Sequence, residues 1–230
     1  HDKCAKAAVK IINDGGGIAG RKVKLAIEDT ESNPAAGSRK LRSLIERRKA
    51  SFVVGSVHSG IMLASIPIAT ELKTPYFSAG EATEATGSKG SRYSFRTGTD
   101  TYALAAAGAP WAFKNLGKTW TMIFPDYAWG HSHHQEHKKL IESLGGKVND
   151  PIAVPLGTKD LVPYLSKIPK NTEVLFSVFF GALSVAFYTQ QKAMRLDEKM
   201  KMYSVSGTIE CIDPRDIGGA TEGVYFLENF

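Results

Sequence analysis

Residues Ser51 to Thr83, SFVVGSVHSGIMLASIPIATELKTPYFSAGEAT, decide the fold of this chain. Phe52-Val53-Val54 is a short β-branched and aromatic run closed by Gly55, the pattern of a buried parallel strand meeting a turn. The loop Ser56-Val57-His58-Ser59-Gly60 follows. Apolar or small residues then recur at Ile61, Ala64, Ser65, Ile68, Ala69 and Leu72, the rhythm of a helix with one buried face. Pro67 falls inside that rhythm and predicts a kink or an early break. Thr74-Pro75-Tyr76-Phe77 opens a second strand, which ends in another small-residue loop, Ser78 to Thr83. Together these segments make one βαβ unit whose two loops leave from the same end. In open α/β sheets that end, beyond the carboxyl termini of the strands, is where binding loops gather.

Composition sets the frame around this unit. The chain has 230 residues, 43% hydrophobic and 23% charged, enough for one large globular domain or two smaller ones. No apolar run approaches the ~20 residues needed to span a bilayer. The sequence begins His1-Asp2-Lys3-Cys4, without an initiator Met or a signal sequence, which is expected of a chain whose leader was removed or of a fragment. Cys4 and Cys211 are too few for a disulfide scaffold. The net charge of +6 is spread along the chain. Its densest group, Arg39, Lys40, Arg42, Arg47, Arg48 and Lys49, shares a helix with Leu41, Leu44 and Ile45 and reads as that helix's solvated face rather than a nucleic-acid surface.

The same alternation extends in both directions. Ala5, Ala8, Val9 and Ile12 mark a first helix ended by Gly15-Gly16-Gly17. Gly15 to Gly20 satisfies G-x-G-x-x-G literally, but a helix precedes it and the alternating strand Val23-Leu25-Ile27 follows, the inverse of a dinucleotide fingerprint. It reads as a helix C-cap and turn. A polar loop then enters the basic helix at Pro34, a favoured first helical position. Beyond the central unit come a strand at Tyr93 to Arg96, a crossing at Thr97 to Asp100, and a helix from Thr101 to Leu116 capped by Thr99 or Asp100. Next are a strand at Lys118 to Phe124, the loop Pro125 to Gly130, and a polar helix from His131 to Leu144. Strands near Val148 to Val154, Glu173 to Phe179, Met202 to Val205 and Val224 to Leu227 alternate with helices at Lys159 to Ile168 and Ala182 to Arg195. Continuous strand and helix alternation predicts a parallel α/β architecture, and the crossing near Thr97 to Asp100 predicts two lobes.

Several residue sets bear on chemistry. Trp129, placed by this reading in a loop between Ala128 and Gly130, is a large flat side chain with little reason to be there unless it covers something. Tyr127, Phe179 and Phe180 lie at or beside strand ends, and the two phenylalanines fit either core packing or a binding wall. His133, Glu136 and His137 satisfy H-x-x-E-H with two histidines on one helix face, the arrangement a zinc-dependent hydrolase uses. No third ligand follows from the spacing, and a solvated helix face is the favoured reading. Ser59 beside His58 lacks the G-x-S-x-G elbow of a nucleophile. Glu81 and Glu84 could form a carboxylate pair, but on a loop plain solvation is the favoured reading.

The series Gly15-Gly16-Gly17-Ile18-Ala19-Gly20-Arg21, Glu28-Asp29, Gly55-Ser56, Thr74-Pro75, Phe95-Arg96-Thr97 and Asp126-Tyr127-Ala128-Trp129-Gly130 resembles the solute-binding proteins of the leucine/isoleucine/valine type that serve ATP-binding-cassette importers. The resemblance covers nearly the whole chain. It implies a type I periplasmic binding protein fold, with two Rossmann-like α/β lobes of parallel sheets that close on a small molecule. The present chain would be a fragment lacking both ends of that fold. Lobe boundaries of 1–98 and 99–226 follow, with 227–230 approaching a second hinge crossing. The implied function is non-enzymatic capture of a small carboxylate in the periplasm and delivery to a membrane permease, without cofactor or nucleic acid. The alternatives are a ligand-sensing regulatory domain of the same fold and the zinc hydrolase. Carried over by position, Ser59, with His58 beside it, matches the serine that holds a ligand carboxylate. Ala79, Gly80, Glu81 and Thr83 lie on or beside the matching second loop. Tyr127, Trp129, Phe179 and Phe180 supply aromatic cover. The family's amine-binding acid falls at Ser206, so the slot is expected to be uncharged and to accept acids without an ammonium group, unless Glu81 or Glu210 takes that role.

Overall fold

The structure, a computed structural model, describes residues 2–205, 208–209 and 212–227. Ser206, Glu210 and Cys211, singled out from the sequence, lie outside the described residues.

Helix α1 (Asp2–Asp14) ends on the glycine turn, where the Gly17 N–H donates to the Ile12 carbonyl at 2.8 Å. None of its residues is buried. The strand expected at Val23 to Ile27 does not form, and Leu25 and Ile27 stay exposed. A strand exists only where a neighbour takes its N–H and C=O groups, and none of the described strands pairs with this segment. Helix α2 (Pro34–Glu46) starts at Pro34, with the Asn33 Oδ1 accepting from the Ala36 N–H at 2.9 Å. Arg42 on its outer face pairs with Glu71 and Glu46 as the solvated-face reading requires.

The central unit forms as strand β1 (Val53–Val54), helix α3 (Ser59–Glu71) and strand β2 (Tyr76–Ser78), followed by strand β3 (Ser94–Arg96). These strands make a parallel sheet in the order β1-β2-β3, with Val53 opposite Tyr76 and Tyr76 opposite Ser94. Contrary to the sequence expectation, β1 is not buried, because it is a sheet edge and Val54 is 70% exposed. Pro67 does not break α3. It lies on the exposed side of the helix, where solvent can satisfy the Leu63 carbonyl that proline leaves unpaired. Helix α3 packs closely on α2 because Gly37 faces Ile61, and a Cβ at Gly37 would come within 2.6 Å of the Ile61 side chain. Leu41, Met62, Ile66, Ala69, Tyr76 and Ala85 form the core beneath.

Helix α4 (Thr101–Asn115), capped by the Asp100 Oδ1 on the Ala103 N–H at 2.7 Å, carries the chain to a second sheet. Strand β4 (Thr119–Pro125), helix α5 (Ala128–Ser143), strands β5 (Lys147–Val148) and β6 (Ile152–Val154), helix α6 (Val162–Leu165), strand β7 (Val174–Ser177), helix α7 (Gly181–Ala193), strand β8 (Lys201–Val205), helix α8 (Pro214–Ile217) and strand β9 (Val224–Leu227) follow. Every pairing is parallel in the order β5-β4-β7-β8-β9, and β6 continues the β5 side against the far end of β4. The chain therefore winds outward on both sides of β4, and the β4/β7 boundary is a topological switch point. Two cores flank the sheet. One, around Phe179, Phe187 and Leu175, lies on one face, and the other, around Trp120, Phe124, Phe176 and Tyr203, on the opposite face.

Candidate functional site at the switch point

Two loops of the first sheet and two helix starts of the second meet at one place. The loop after β1 runs into α3 with His58 as N-cap, its Nδ1 accepting from the Ile61 N–H at 3.3 Å. Partial burial lowers the His58 pKa and favours this neutral, accepting form. Ser59, the first residue of α3, is buried, and its Oγ accepts from the N–H groups of Glu81 and Ala82 at 3.1 and 3.2 Å. Its own hydroxyl proton is left to donate. The loop Ala79 to Thr83 is thereby tied to the loop after β1, a tie reinforced by the Ala79 N–H donating to the Ser56 carbonyl at 3.1 Å. From behind, the Arg96 guanidinium donates to the carbonyls of Gly80 at 2.8 Å and Ala82 at 3.1 Å. Arg96 is a positioning residue that sequence reading noted only as part of a motif.

The same loop is stitched to the second lobe. The Thr83 N–H donates to Ser132 Oγ at 3.1 Å, and the hydroxyls of Thr83 and Thr101 lie 2.8 Å apart, those of Thr101 and Ser132 2.6 Å apart. Helix α5 begins earlier than expected, at Ala128, so Trp129 stands in its first turn rather than in a loop. Tyr127, extended, is its N-cap, and Gly130 lets the turn fold tightly under β4, since a Cβ there would lie 2.2 Å from the Pro125 carbonyl oxygen. The Trp129 indole N–H donates to Glu81 Oε2 at 2.6 Å across the lobes. Ring centroids of Trp129 and Phe180 are 5.9 Å apart, those of Tyr127 and Phe180 6.5 Å, and those of His58 and Tyr127 4.6 Å. Burial raises the Tyr127 pKa, and the Glu81 charge adds to the effect, so the phenol stays protonated.

Two expectations resolve differently for adjacent residues. Phe179 is wholly buried in the core against Phe187, with centroids 5.1 Å apart, and does not reach the cleft. Phe180, 46% exposed at the start of α7, stands with Trp129 and Tyr127. The histidine helix also departs from its expected solvated face. Trp129, Ser132, His133, Glu136, His137 and Ile141 are buried, a helical stripe that is mostly polar and was missed for that reason. His137 stacks on Phe176 with centroids 4.2 Å apart, and its Nδ1 bonds to the His133 carbonyl at 2.9 Å. Burial pulls its pKa down to about 3. His133 is likewise lowered by burial, with its Nε2 3.7 Å from Glu81. Glu136 turns instead toward Lys139, at 3.7 Å. Among the described residues no three His, Cys, Asp or Glu side chains converge as a metal site would need, and His133, Glu136 and His137 do not meet one another at a common point.

The profile of known periplasmic binding proteins matches residues 1–230. The chain belongs to the periplasmic binding protein family. A curated relative, Leu/Ile/Val-binding protein homolog 1 of Brucella suis, is 28% identical over 209 residues, which is 89% of this chain and 54% of that protein. The periplasmic binding protein chain thus spans about half the length of the curated relatives it matches. Among solved structures, a solute binding protein of an ABC transporter from R. palustris in complex with benzoate superposes with a TM-score of 0.84 at 22% identity, covering 95% of this chain and 61% of that one. The branched-chain amino acid transporter substrate binding protein of Streptococcus pneumoniae in complex with isoleucine gives 0.79 at 21% identity, covering 98% and 64%. These likenesses establish the two-lobed α/β fold. Membership in a family of binding proteins also agrees with the expectation that the chain is not an enzyme. No helix among the described residues is long and apolar enough to cross a membrane.

Proposed function

We propose that the protein containing this chain captures a small carboxylate, an amino acid or an aromatic or apolar acid, in the periplasm and delivers it to the permease of an ABC importer. The lobes are residues 1–98 and 99–226, and they close on the ligand; residues 228–230 of the expected second hinge approach lie outside the described residues. The observation that carries this reading is the convergence of Ser59 and the Ala79 to Thr83 loop with Tyr127, Trp129 and Phe180 at the switch point. The start of α3 offers N–H groups and the positive end of the helix dipole to a carboxylate, with the Ser59 proton beside them. The aromatic rings offer flat apolar surface to the ligand body. Relatives named for leucine, isoleucine and valine, and structures bound to benzoate and to isoleucine, support a ligand of this size.

Binding favours closure only through contacts made better in the closed form, so residues from both lobes are required. The test is a thermal-shift screen of amino acids and aromatic acids on the full-length protein. A ligand at a hundredfold excess over its Kd adds ~2.7 kcal/mol of stability. Stabilisation by sugars or inorganic ions alone would refute the carboxylate reading.

A further inference from the structure

The amino end of the first sheet, opposite the cleft, gathers charge that the ligand site does not use. Three connections lead into its strands, residues 47–52 into β1, 72–75 into β2 and 87–93 into β3. They contain Arg47, Arg48, Lys49, Lys73, Lys89 and Arg92, all exposed, and no Asp or Glu. Backbone bonds set the connections side by side, with the Val53 N–H donating to the Pro75 carbonyl at 2.9 Å and the Tyr76 N–H to the Tyr93 carbonyl at 2.8 Å. Thr70, in the last turn of α3, donates its hydroxyl to Ser91 Oγ at 2.7 Å and holds the third connection against the second. Glu46 and Glu71, the final residues of α2 and α3, are both taken by Arg42. Among the described residues none of the six cations forms an ion pair, and Arg92 lies over the Tyr93 ring at 5.6 Å.

Ordinary solvated charge does not explain this surface. Lys49 and Lys73, each shortly after a helix, stand at φ of 56° and 50°. Glycine holds that left-handed position without strain, so lysine there serves something other than the turn. The helix dipole accounts for cations after α2 and α3, but Lys89 and Arg92 follow no α-helix. In the second lobe the matching connections mix signs, with Lys192 on Asp197, Arg195 on Glu198, and Glu173 on the N–H groups of Lys118 and Thr119. Phe52, 45% exposed in the first connection, adds an aromatic ring at the basic end. Unpaired cations with an aromatic ring beside them suit an anionic lipid surface, where charge attracts and the ring enters the headgroup region. We infer that this end of the first lobe docks on an anionic phospholipid membrane. The cleft lies beyond the carboxyl ends of the same strands, so a docked molecule keeps it clear of the bilayer.

Co-sedimentation of the full-length protein with vesicles tests this, comparing phosphatidylcholine alone with phosphatidylcholine mixed with phosphatidylglycerol. The expected result is binding to the mixed vesicles only, weakened at least about tenfold when salt rises from about 0.05 to about 0.5 M. Arg47→Glu, Arg48→Glu and Lys49→Glu together are expected to lower that binding at least about tenfold, with the unfolding midpoint in place. Lys147→Glu, Lys170→Glu and Lys199→Glu, exposed in the second lobe, make the same change in net charge and are expected to lower it by no more than about threefold. Lys49→Gly with Lys73→Gly removes two charges and relieves both backbone positions, so binding is expected to weaken about three- to thirtyfold while the midpoint holds or rises. A lowered midpoint with unchanged binding makes these lysines structural and overturns the inference. Absence of binding, or equal binding to neutral vesicles, also overturns it. Equal losses in the two triple variants reduce the effect to net charge and overturn the assignment to this end of the lobe. Retention on double-stranded DNA without vesicle binding overturns the choice of a lipid surface.

Discussion

Replacing Ser59 with alanine separates two roles that one hydroxyl plays. In the fold, Ser59 Oγ accepts the N–H groups of Glu81 and Ala82 at 3.1 and 3.2 Å, and Ala82 is wholly buried. Ser59→Ala leaves the Ala82 N–H without an acceptor, at a cost of about 1–3 kcal/mol. Glu81 is half-buried, so solvent can compensate part of its loss. A destabilisation of about 2 kcal/mol is expected. With a urea slope of about 2–3 kcal/mol/M, the unfolding midpoint of the full-length protein falls by about 0.7–1 M. The same change takes away the hydroxyl proton offered to a ligand carboxylate and loosens the loop from Ala79 to Thr83. Affinity is therefore expected to fall about ten- to a hundredfold, corresponding to a charge-assisted bond of about 1.5–3 kcal/mol. Urea unfolding followed by fluorescence, with calorimetry on the same samples, reads both quantities. An unchanged midpoint would refute the loop-holding role, and an unchanged Kd would move the anion site away from α3.

The neighbouring phenylalanines are expected to divide cleanly. Phe179→Ala, in the core, should cost about 3–5 kcal/mol of stability. Phe180→Ala should leave stability within about 1 kcal/mol while weakening ligand binding, and the reverse pattern in denaturation and calorimetry would invert the assignment. His137, with its pKa lowered from 6.5 to about 3 by burial, binds fewer protons folded than unfolded throughout that window. Stability should therefore fall as pH drops below about 6.5, by about 1.4 kcal/mol per pH unit from this residue. His137→Gln should flatten that slope, and an unchanged slope between pH 6.5 and 5 would refute the assignment.

The alternation of strand and helix, and with it a parallel α/β architecture, could be anticipated from the sequence because its strands are short apolar runs separated by glycine and polar loops. Those at Val174 to Ser177 and Lys201 to Val205 contain four buried residues each, and no other pattern fits them. The first lobe was less legible. Val23, Leu25 and Ile27 alternate as a strand does, but alternation supplies no pairing partner, and a two-residue edge strand offers little buried surface. At the site, Trp129 was legible as an anomaly although its helix was not, because the Tyr127 cap makes no side-chain bond and leaves no N-cap signature. Phe179 and Phe180 were indistinguishable by type, since only the turn into α7 decides which faces inward.

The polar stripe of α5 was misread because buried helix faces are normally apolar, and the reason for the exception is physical. Ser132 meets the other lobe through Thr83, and His133 through Glu81, rather than packing only against their own sheet. If the lobes part and close as proposed, an apolar seam there would expose surface at about 25 cal/mol for every Å² on each opening and would hold the lobes shut. Hydroxyl and amide contacts exchange with water at a net difference of only about 0.5–1.5 kcal/mol each, so the seam can reopen. Tyr127, Trp129 and Phe180 supply apolar surface that a ligand body can cover. If the lobes part and close as proposed, closure then depends on what fills the cleft.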